Sequence, residues 1–299
     1  MKIGYPCINL SLECRSSHTF RLKNYSKEKL KKTVKSNLKC LLETLKYNIN
    51  HKILFFRITS DLVPFASHQI MDFNWKKHFS KEFSEIGNFI KKKNIRITMH
   101  PGQYTVLNSN NEGVYKRSLE ELIYHIDVLD LMKLDKSCKV QLHVGGVYGE
   151  KENSLNRFIE RYHSLSNNIK ERLVIENDDK SYNLKDCLQI YRETQIPIIF
   201  DVYHHMCNNS GESIEEAFQL ISHTWEKEDG IPIIHYSSEH PHKGKPSHSE
   251  HIDLKDFAEF IQKTNIFDYD LMLEIKDKEQ SALRVIKILE NDPRLYAMI

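Results

Sequence analysis

Short, nearly continuous apolar runs recur along the chain, and segments with helical periodicity separate them. One such run starts at Arg96 and stops at His100, because the following Pro101 has no N–H with which to continue a sheet ladder. By the same criteria we predict eight strands, over residues 3–8, 53–59, 96–100, 139–144, 172–178, 197–204, 232–238 and 269–276.

The segments between these runs carry apolar residues at helical spacing. The first begins at Ser26, a good N-cap, and its apolar residues repeat every three or four positions at Leu30, Val34, Leu38, Leu41, Leu42 and Leu45. We predict helices over residues 26–48, 81–92, 111–134, 154–169, 183–193, 213–225, 254–263 and 281–290.

Eight βα units in 299 residues predict a single (β/α)8 TIM barrel, an α/β fold, with residues 1–299 as one domain. Continuous apolar strands are typical of parallel sheets that are buried on both faces. The alternative is a doubly wound open sheet. That fold would need a glycine-rich phosphate turn after the first strand to bind a nucleotide there, and Asn9-Leu10-Ser11 is not one.

Composition narrows the function classes. The net charge is only +2, so a nucleic-acid partner would need a local basic surface. The N-terminus is too polar and short for a signal peptide, and no apolar run is long enough to cross a membrane. The six cysteines show no C-x-x-C pair and no disulfide-like spacing, so we expect reduced thiols and a cytoplasmic protein.

Metal-type ligands stand at the ends of six predicted strands. They are His100, His143, Glu176, Asp201 with His204, His235 and Glu274. In a TIM barrel, the carboxyl ends of the strands meet at the catalytic face. A carboxylate or imidazole in an apolar strand is costly to bury unless a partner compensates it. We therefore predict a cluster of divalent cations at this face.

The ligand types narrow the choice of metal. Mixed imidazole and carboxylate ligands suit Zn²⁺, Mn²⁺ or Fe²⁺. So many ligands favour two or three ions, an arrangement that can hold both oxygens of a phosphodiester during hydrolysis. The loop after the seventh strand contains four further histidines, and spacing alone does not show which of them is a metal ligand. They are His240, His242, His248 and His251.

At this point the sequence resembles the ultraviolet damage endonucleases, TIM-barrel repair nucleases related to the apurinic endonuclease IV group. The resemblance spans nearly the whole chain. Its motifs lie at residues 5–10 (YPCINL), 57–68 (RITSDLVPFASH), 100–104 (HPGQY), 142–146 (LHVGG), 175–179 (IENDD), 200–205 (FDVYHH) and 235–238 (HYSS). Together these motifs are specific, although no single one would suffice.

The resemblance implies an endonuclease that cuts damaged double-stranded DNA immediately 5′ to a lesion such as a UV photoproduct. It also implies up to three divalent ions, typically Mn²⁺ with Zn²⁺ or Mg²⁺ as alternatives, and it suggests a monomer. The metal set that it implies is His100, His143, Glu176, Asp201, His204, His235, His248 and Glu274. Here the family pattern selects His248 from the loop histidines.

The resemblance also implies roles in DNA recognition. Gln103 and Tyr104 resemble the family's lesion probe, and an aromatic side chain can indeed fill the gap left by extruded bases. Asn9, Tyr5 and His68 resemble residues that contact the lesion or the scissile phosphate, with Tyr5 and His68 as proton donors or phosphate ligands. As core or capping residues they would be unremarkable. Lys151 is a candidate phosphate contact.

One position departs from the family pattern. Family members often carry a lysine, which can be modified to a carbamate, two residues before the seventh-strand histidine, and this chain has Ile233 there. Three alternatives stay open: an abasic-site endonuclease, a metal-dependent sugar isomerase or epimerase on the same barrel, and a non-catalytic damage-binding protein.

Overall fold

A closed barrel of eight parallel strands forms the centre of the computed structural model, which describes residues 1–296. Strands follow one another in chain order, and β8 pairs with β1 to close the barrel. The strands are β1 Ile3–Pro6, β2 Phe55–Ile58, β3 Arg96–Met99, β4 Lys139–His143, β5 Leu173–Glu176, β6 Ile198–Asp201, β7 Ile233–Tyr236 and β8 Asp270–Leu273.

Helices surround the barrel. They are α1 Lys27–Asn50, α2 Trp75–His78, α3 Ser80–Lys92, α4 Glu112–Leu131, α5 Lys151–Ser164, α6 Asn167–Lys170, α7 Leu184–Thr194, α8 Val202–Cys207, α9 Ile214–Ser222, α10 Leu254–Lys263 and α11 Glu279–Ile288. Ser26 caps α1 by accepting a hydrogen bond from the Lys29 amide, and the apolar face of α1 is buried. The predicted TIM barrel is confirmed. The predicted domain of residues 1–299 includes 297–299, which lie outside the described residues.

The barrel interior is built in layers, because alternate residues of a strand point to the same side. The middle layer is apolar and contains Phe55, Val174, Ile199, Ile233 and Met272. Two residues further along each of these strands comes the layer at the carboxyl ends. Three strands also carry charges at the opposite end of the barrel, namely Arg96 on β3, Lys139 on β4 and Asp270 on β8, and Arg96 reaches across the interior to Asp270 at 2.9 Å.

Two sequence expectations are corrected by the structure. The sixth strand ends at Asp201, and His204 lies on the short helix α8, because the Asp201 side chain accepts a hydrogen bond from the His204 amide and so caps a helix. Cys14 and Cys40 form a disulfide, although the spacing predicted none, because the loop after β1 folds back onto α1. Cys138 and Cys187 are buried free thiols, as expected.

Among the described residues, no helix is both long and apolar enough to span a membrane.

Candidate metal centre

Glu176, at the end of β5, lies at the centre of a cluster of imidazoles and carboxylates at the carboxyl ends of the strands. Its carboxylate oxygens lie 3.9 Å from His100 Nε2, 3.8 Å from His143 Nε2, 3.8 Å from His204 Nδ1 and 2.7 Å from His235 Nδ1. Glu176 is buried, as are Asp201 and His235. Barrel closure therefore brings ligands from β3 through β8 to one small volume.

Two overlapping groups of donor atoms have the proximity that a metal ion requires. His100, His143 and Glu176 form the first group, and Glu176, Asp201, His235 and Glu274 form the second. Within each group the donor atoms all lie within 4.8 Å of one another. Glu176 belongs to both groups and is thus placed to bridge two cations.

His204 and His248 lie beside these groups. His204 Nδ1 is 3.8 Å from the Asp201 carboxylate, and the His204 and His248 ring centroids are 6.3 Å apart. His248 Nδ1 pairs with the Glu274 carbonyl oxygen at 2.9 Å, a contact that fixes the orientation of the ring. The structure thus brings all eight predicted metal ligands to one face of the barrel, and their binding of metal stays a prediction.

The electrostatics of the cluster fit a cation. Burial raises the pKa of the Asp201 carboxyl; His204 opposes this shift, and the nearby Glu176 carboxylate adds to it. Asp201 Oδ2 is buried and has no hydrogen-bond partner, which is costly for a carboxylate oxygen. A divalent cation at this position would satisfy that oxygen and offset the repulsion among the carboxylates.

The environment of the cluster shifts the pKa values of two imidazoles in opposite directions. Burial lowers the pKa of His100 to about 3, and His143 and Arg57 add to the shift, so His100 is neutral and able to coordinate. Burial would also lower the pKa of His204, but Asp201 and Glu176 more than compensate and raise it to about 9.

Arg57 is a buried member of the site that sequence reasoning missed. Its guanidinium lies 2.8 Å from the Glu274 carboxylate and 2.9 Å from His235 Nε2, across the barrel. Burial would raise the pKa of Glu274, but Arg57 holds it well below its usual range. A signal existed in the sequence: Arg57 follows the inward-facing Phe55 by two residues, as Glu176 follows Val174.

Two amides also support the ligands. Gln141, one layer below His143, donates to Glu176 Oε2 at 2.9 Å. Asn177 accepts a hydrogen bond from the Asp201 amide at 2.9 Å and donates to the Asp201 carbonyl at 3.0 Å. Such partners fix the orientation of metal ligands.

The predicted probe residues lie beside the cluster on the loop after β3. Tyr104 is 84% exposed, and Gln103 is exposed next to it. They line a cavity of ≈ 970 Å³ together with His68, His100, His143 and Tyr148. The cavity therefore connects the exposed loop to two of the metal-type ligands.

The remaining predicted site residues form contacts with other residues of the protein. Tyr5 points away from the barrel interior, and its buried hydroxyl donates to Asn48 of α1 at 2.6 Å and accepts from Asn9 at 2.8 Å. Asn9 is buried and also accepts from the Ser11 amide. Lys151 pairs with Asp186 at 2.6 Å. Their roles toward DNA stay predictions.

Ile233, at the family's lysine position, is fully buried in the apolar middle layer. A carbamate cannot form on its side chain, so this position supplies no anionic ligand near His235. Arg57 is the cation that contacts His235 here.

Comparisons with known proteins agree with this geometry. The sequence profile of a family described as "UV-endonuclease UvdE" matches residues 1–297. A "UV DNA damage endonuclease" of Clostridium perfringens is 41% identical over 292 residues, covering 97% of this chain and 71% of the relative. Another protein of that name, from Bacillus thuringiensis subsp. konkukian, is 34% identical over 302 residues, covering 97% of this chain and 95% of the relative.

Among solved structures, the crystal structure of SacUVDE superposes with a TM-score of 0.93 at 46% identity, covering 97% of this chain and 98% of the other. An L-ribulose 3-epimerase superposes with a TM-score of 0.55 at 14% identity, covering 88% of this chain and 84% of the other. The second likeness concerns the barrel fold alone.

Proposed function

Because this chain belongs to the UV-endonuclease UvdE family, we propose that it is a DNA repair endonuclease that nicks the backbone immediately 5′ to UV photoproducts by metal-dependent hydrolysis. The observation that carries the proposal is the Glu176-centred ligand cluster beside the cavity lined by Gln103 and Tyr104. The cluster supplies a site for the reacting phosphate, and the cavity supplies space for extruded nucleotides.

Two or three divalent ions, Mn²⁺ in the first instance, are the proposed cofactors. His100, His143 and Glu176 would hold one ion, and Glu176, Asp201, His235 and Glu274 another, with His204 and His248 alongside. Such ions supply a nucleophile at neutral pH and stabilise charge on the attacking and leaving oxygens of a phosphodiester.

The chain's own residues hold this site and open the DNA. Arg57 and Gln141 orient the buried ligands. Gln103 and Tyr104 enter the duplex and fill the space of the displaced bases, an exchange that costs least where damage has already weakened pairing and stacking. His68, exposed in the same cavity, is the proposed phosphate ligand or proton donor.

Residues at the edges of the site have supporting roles in this proposal. Asn9 and Tyr5 fix the loop after β1 from buried positions, and a contact of either residue with the lesion or the scissile phosphate would require that loop to move. Lys151 contacts a DNA phosphate after release from Asp186. The enzyme works as a one-domain, cytoplasmic monomer, and light scattering coupled to size exclusion tests the monomer.

The test is a nicking assay on a duplex with one thymine dimer, with and without Mn²⁺. We expect one cut at the 5′ side of the dimer that needs the ion. A matched duplex with one abasic site separates this activity from that of an abasic-site endonuclease, which would cut the abasic duplex preferentially. No cut beside the dimer by metal-loaded protein would contradict the proposal, and DNA binding without a cut would favour a damage-binding protein.

A further inference from the structure

Tyr148 lies on the loop between β4 and α5, in a backbone conformation that bulky residues rarely adopt. Its φ of 52° places it in the left-handed region, yet its side chain is aromatic and 42% exposed. Such conformations persist only where the surroundings enforce them, and they concentrate at functional sites. The backbone conformation therefore marks the Tyr148 ring as a candidate functional group.

Two neighbours pack against the ring and leave 42% of the residue exposed. Gly146 provides the first support, because a Cβ atom at this position would lie 2.7 Å from Tyr148 Cζ, so only glycine lets the ring approach the backbone. Arg157 provides the second, with its guanidinium carbon 5.7 Å from the ring centroid, the geometry of a cation–π contact.

These supports are themselves anchored. Asn108 donates to the Gly146 carbonyl at 2.8 Å and accepts from the Gly146 amide at 3.1 Å. Arg157 donates to the Asn108 carbonyl at 2.7 Å and to Ser154 Oγ at 3.2 Å. The ring is therefore held by a hydrogen-bonded frame and does not depend on a ligand for its position.

The ring lines the cavity of ≈ 970 Å³ that also contains Tyr104, His100 and His143. This volume lies at the upper end of the range for small-molecule sites, so an extruded nucleotide fits within it. Charged side chains in the lining are Arg117, Glu120 and Glu121. With one positive and two negative charges they do not attract a phosphate, so this part of the cavity suits an uncharged base.

We propose that Tyr148 is the stacking platform for an extruded base of the damaged dinucleotide. The inference rests on the proposed function and adds a base-binding subsite to it. Tyr148 lines the same cavity as His100 and His143, so a base on its ring belongs to a nucleotide beside the metal-type ligands. Tyr104 occupies the space that the base has left, and Tyr148 receives the base.

The experiment measures binding of the full-length chain to labelled duplexes in EDTA by fluorescence anisotropy, so that no cutting intervenes. One duplex carries a thymine dimer and the other carries two abasic nucleotides at the same positions. Tyr148→Asn removes the ring while keeping a residue that tolerates left-handed φ. It should weaken binding to the dimer duplex by roughly 5- to 100-fold, the range of base–aromatic stacking, and leave binding to the abasic duplex unchanged.

Two further variants give matched controls. Tyr148→Phe keeps the stacking face and should bind the dimer duplex like the wild type. Tyr115→Asn removes another ring that packs on an arginine, with the guanidinium carbon of Arg161 4.1 Å from its centroid, but Tyr115 does not line the cavity. It should leave both affinities unchanged.

Wild-type affinity of Tyr148→Asn for the dimer duplex would overturn the inference, and so would an equal loss on both duplexes, because then the bases are not what the ring contacts. These results count against the subsite alone if the wild type nicks the dimer duplex with Mn²⁺. A wild type that does not nick it overturns the proposed function, and the subsite falls with it.

Discussion

Buried charges lie at both ends of the barrel interior, and the two ends differ in their charge balance. At the amino-terminal end, Arg96 pairs with Asp270 at 2.9 Å, and Lys139 pairs with Asp229. Two positive and two negative side chains therefore cancel. These pairs join β3 to β8 and β4 to the segment before β7, and this end of the barrel needs no cation to balance its charges.

At the carboxyl-terminal end, three carboxylates face one guanidinium. Glu176, Asp201 and Glu274 carry three negative charges and Arg57 one positive charge, which leaves two negative charges before any imidazole takes a proton. The excess is visible in His204, whose pKa these carboxylates raise to about 9. A balanced buried network is thus structural, whereas an unbalanced one has the charge to bind cations.

The largest effect is expected from Asp201→Asn at the unbalanced end. A divalent ion contributes several kcal/mol to the transition state of phosphodiester hydrolysis, so nicking of a thymine-dimer duplex should fall by about 10³- to 10⁴-fold. In EDTA, urea unfolding should show an unchanged or higher stability, because the substitution removes one of the mutually repelling buried charges. A clear loss of stability without metal would contradict the charge argument.

Asp270→Asn is the matched substitution at the balanced end, and it should have the opposite profile. It leaves the buried Arg96 without its carboxylate partner, which should lower the free energy of unfolding by about 3 kcal/mol. Urea unfolding measures this change. Nicking per folded molecule should be retained, and its loss would mean that the two ends are not independent.

Arg57→Met makes the carboxyl-terminal end still more negative. We expect the metal-free protein to lose about 2 kcal/mol, less than for a fully buried pair because Glu274 remains partly exposed. Adding Mn²⁺ should restore much of this loss, so the rise in unfolding midpoint on metal addition should exceed that of the wild type.

Arg172→Met is the control for this substitution, because Arg172 is equally buried but pairs with Asp130, outside the cluster. Arg172→Met should lower the unfolding midpoint by the same amount with and without Mn²⁺. An equal response of both arginine variants would show that Arg57 has only a packing role.

The smallest effect is expected in the apolar layer between the two ends. Ile233→Val removes one buried methylene and should cost about 1 kcal/mol by urea unfolding. The nicking rate should not change, since the side chain carries no ligand. A large change in rate would show that this layer positions His235 more strongly than its packing indicates.

The sequence by itself determined the order of elements and most of the site. Strands appear as apolar runs, and each ligand stands where its strand ends, so a parallel barrel must bring His100, Glu176 and Glu274 to one face. This inference needs only local patterns and one rule about parallel strands. The resemblance to a nuclease family added His248 and the probe loop, which spacing could not select.

Only the tertiary structure decided which side chains meet across the barrel. Arg57 contacts His235 from β2 to β7, and Tyr5 turns outward to Asn48 because its strand neighbours Gly4 and Pro6 take the inward positions. The Cys14–Cys40 bond joins the loop after β1 to helix α1, and the hydrogen bonds between Asn108 and Gly146 join the loop after β3 to the loop after β4. Periodicity is a property of neighbouring residues, whereas these contacts depend on how the sheet closes and the loops return over it.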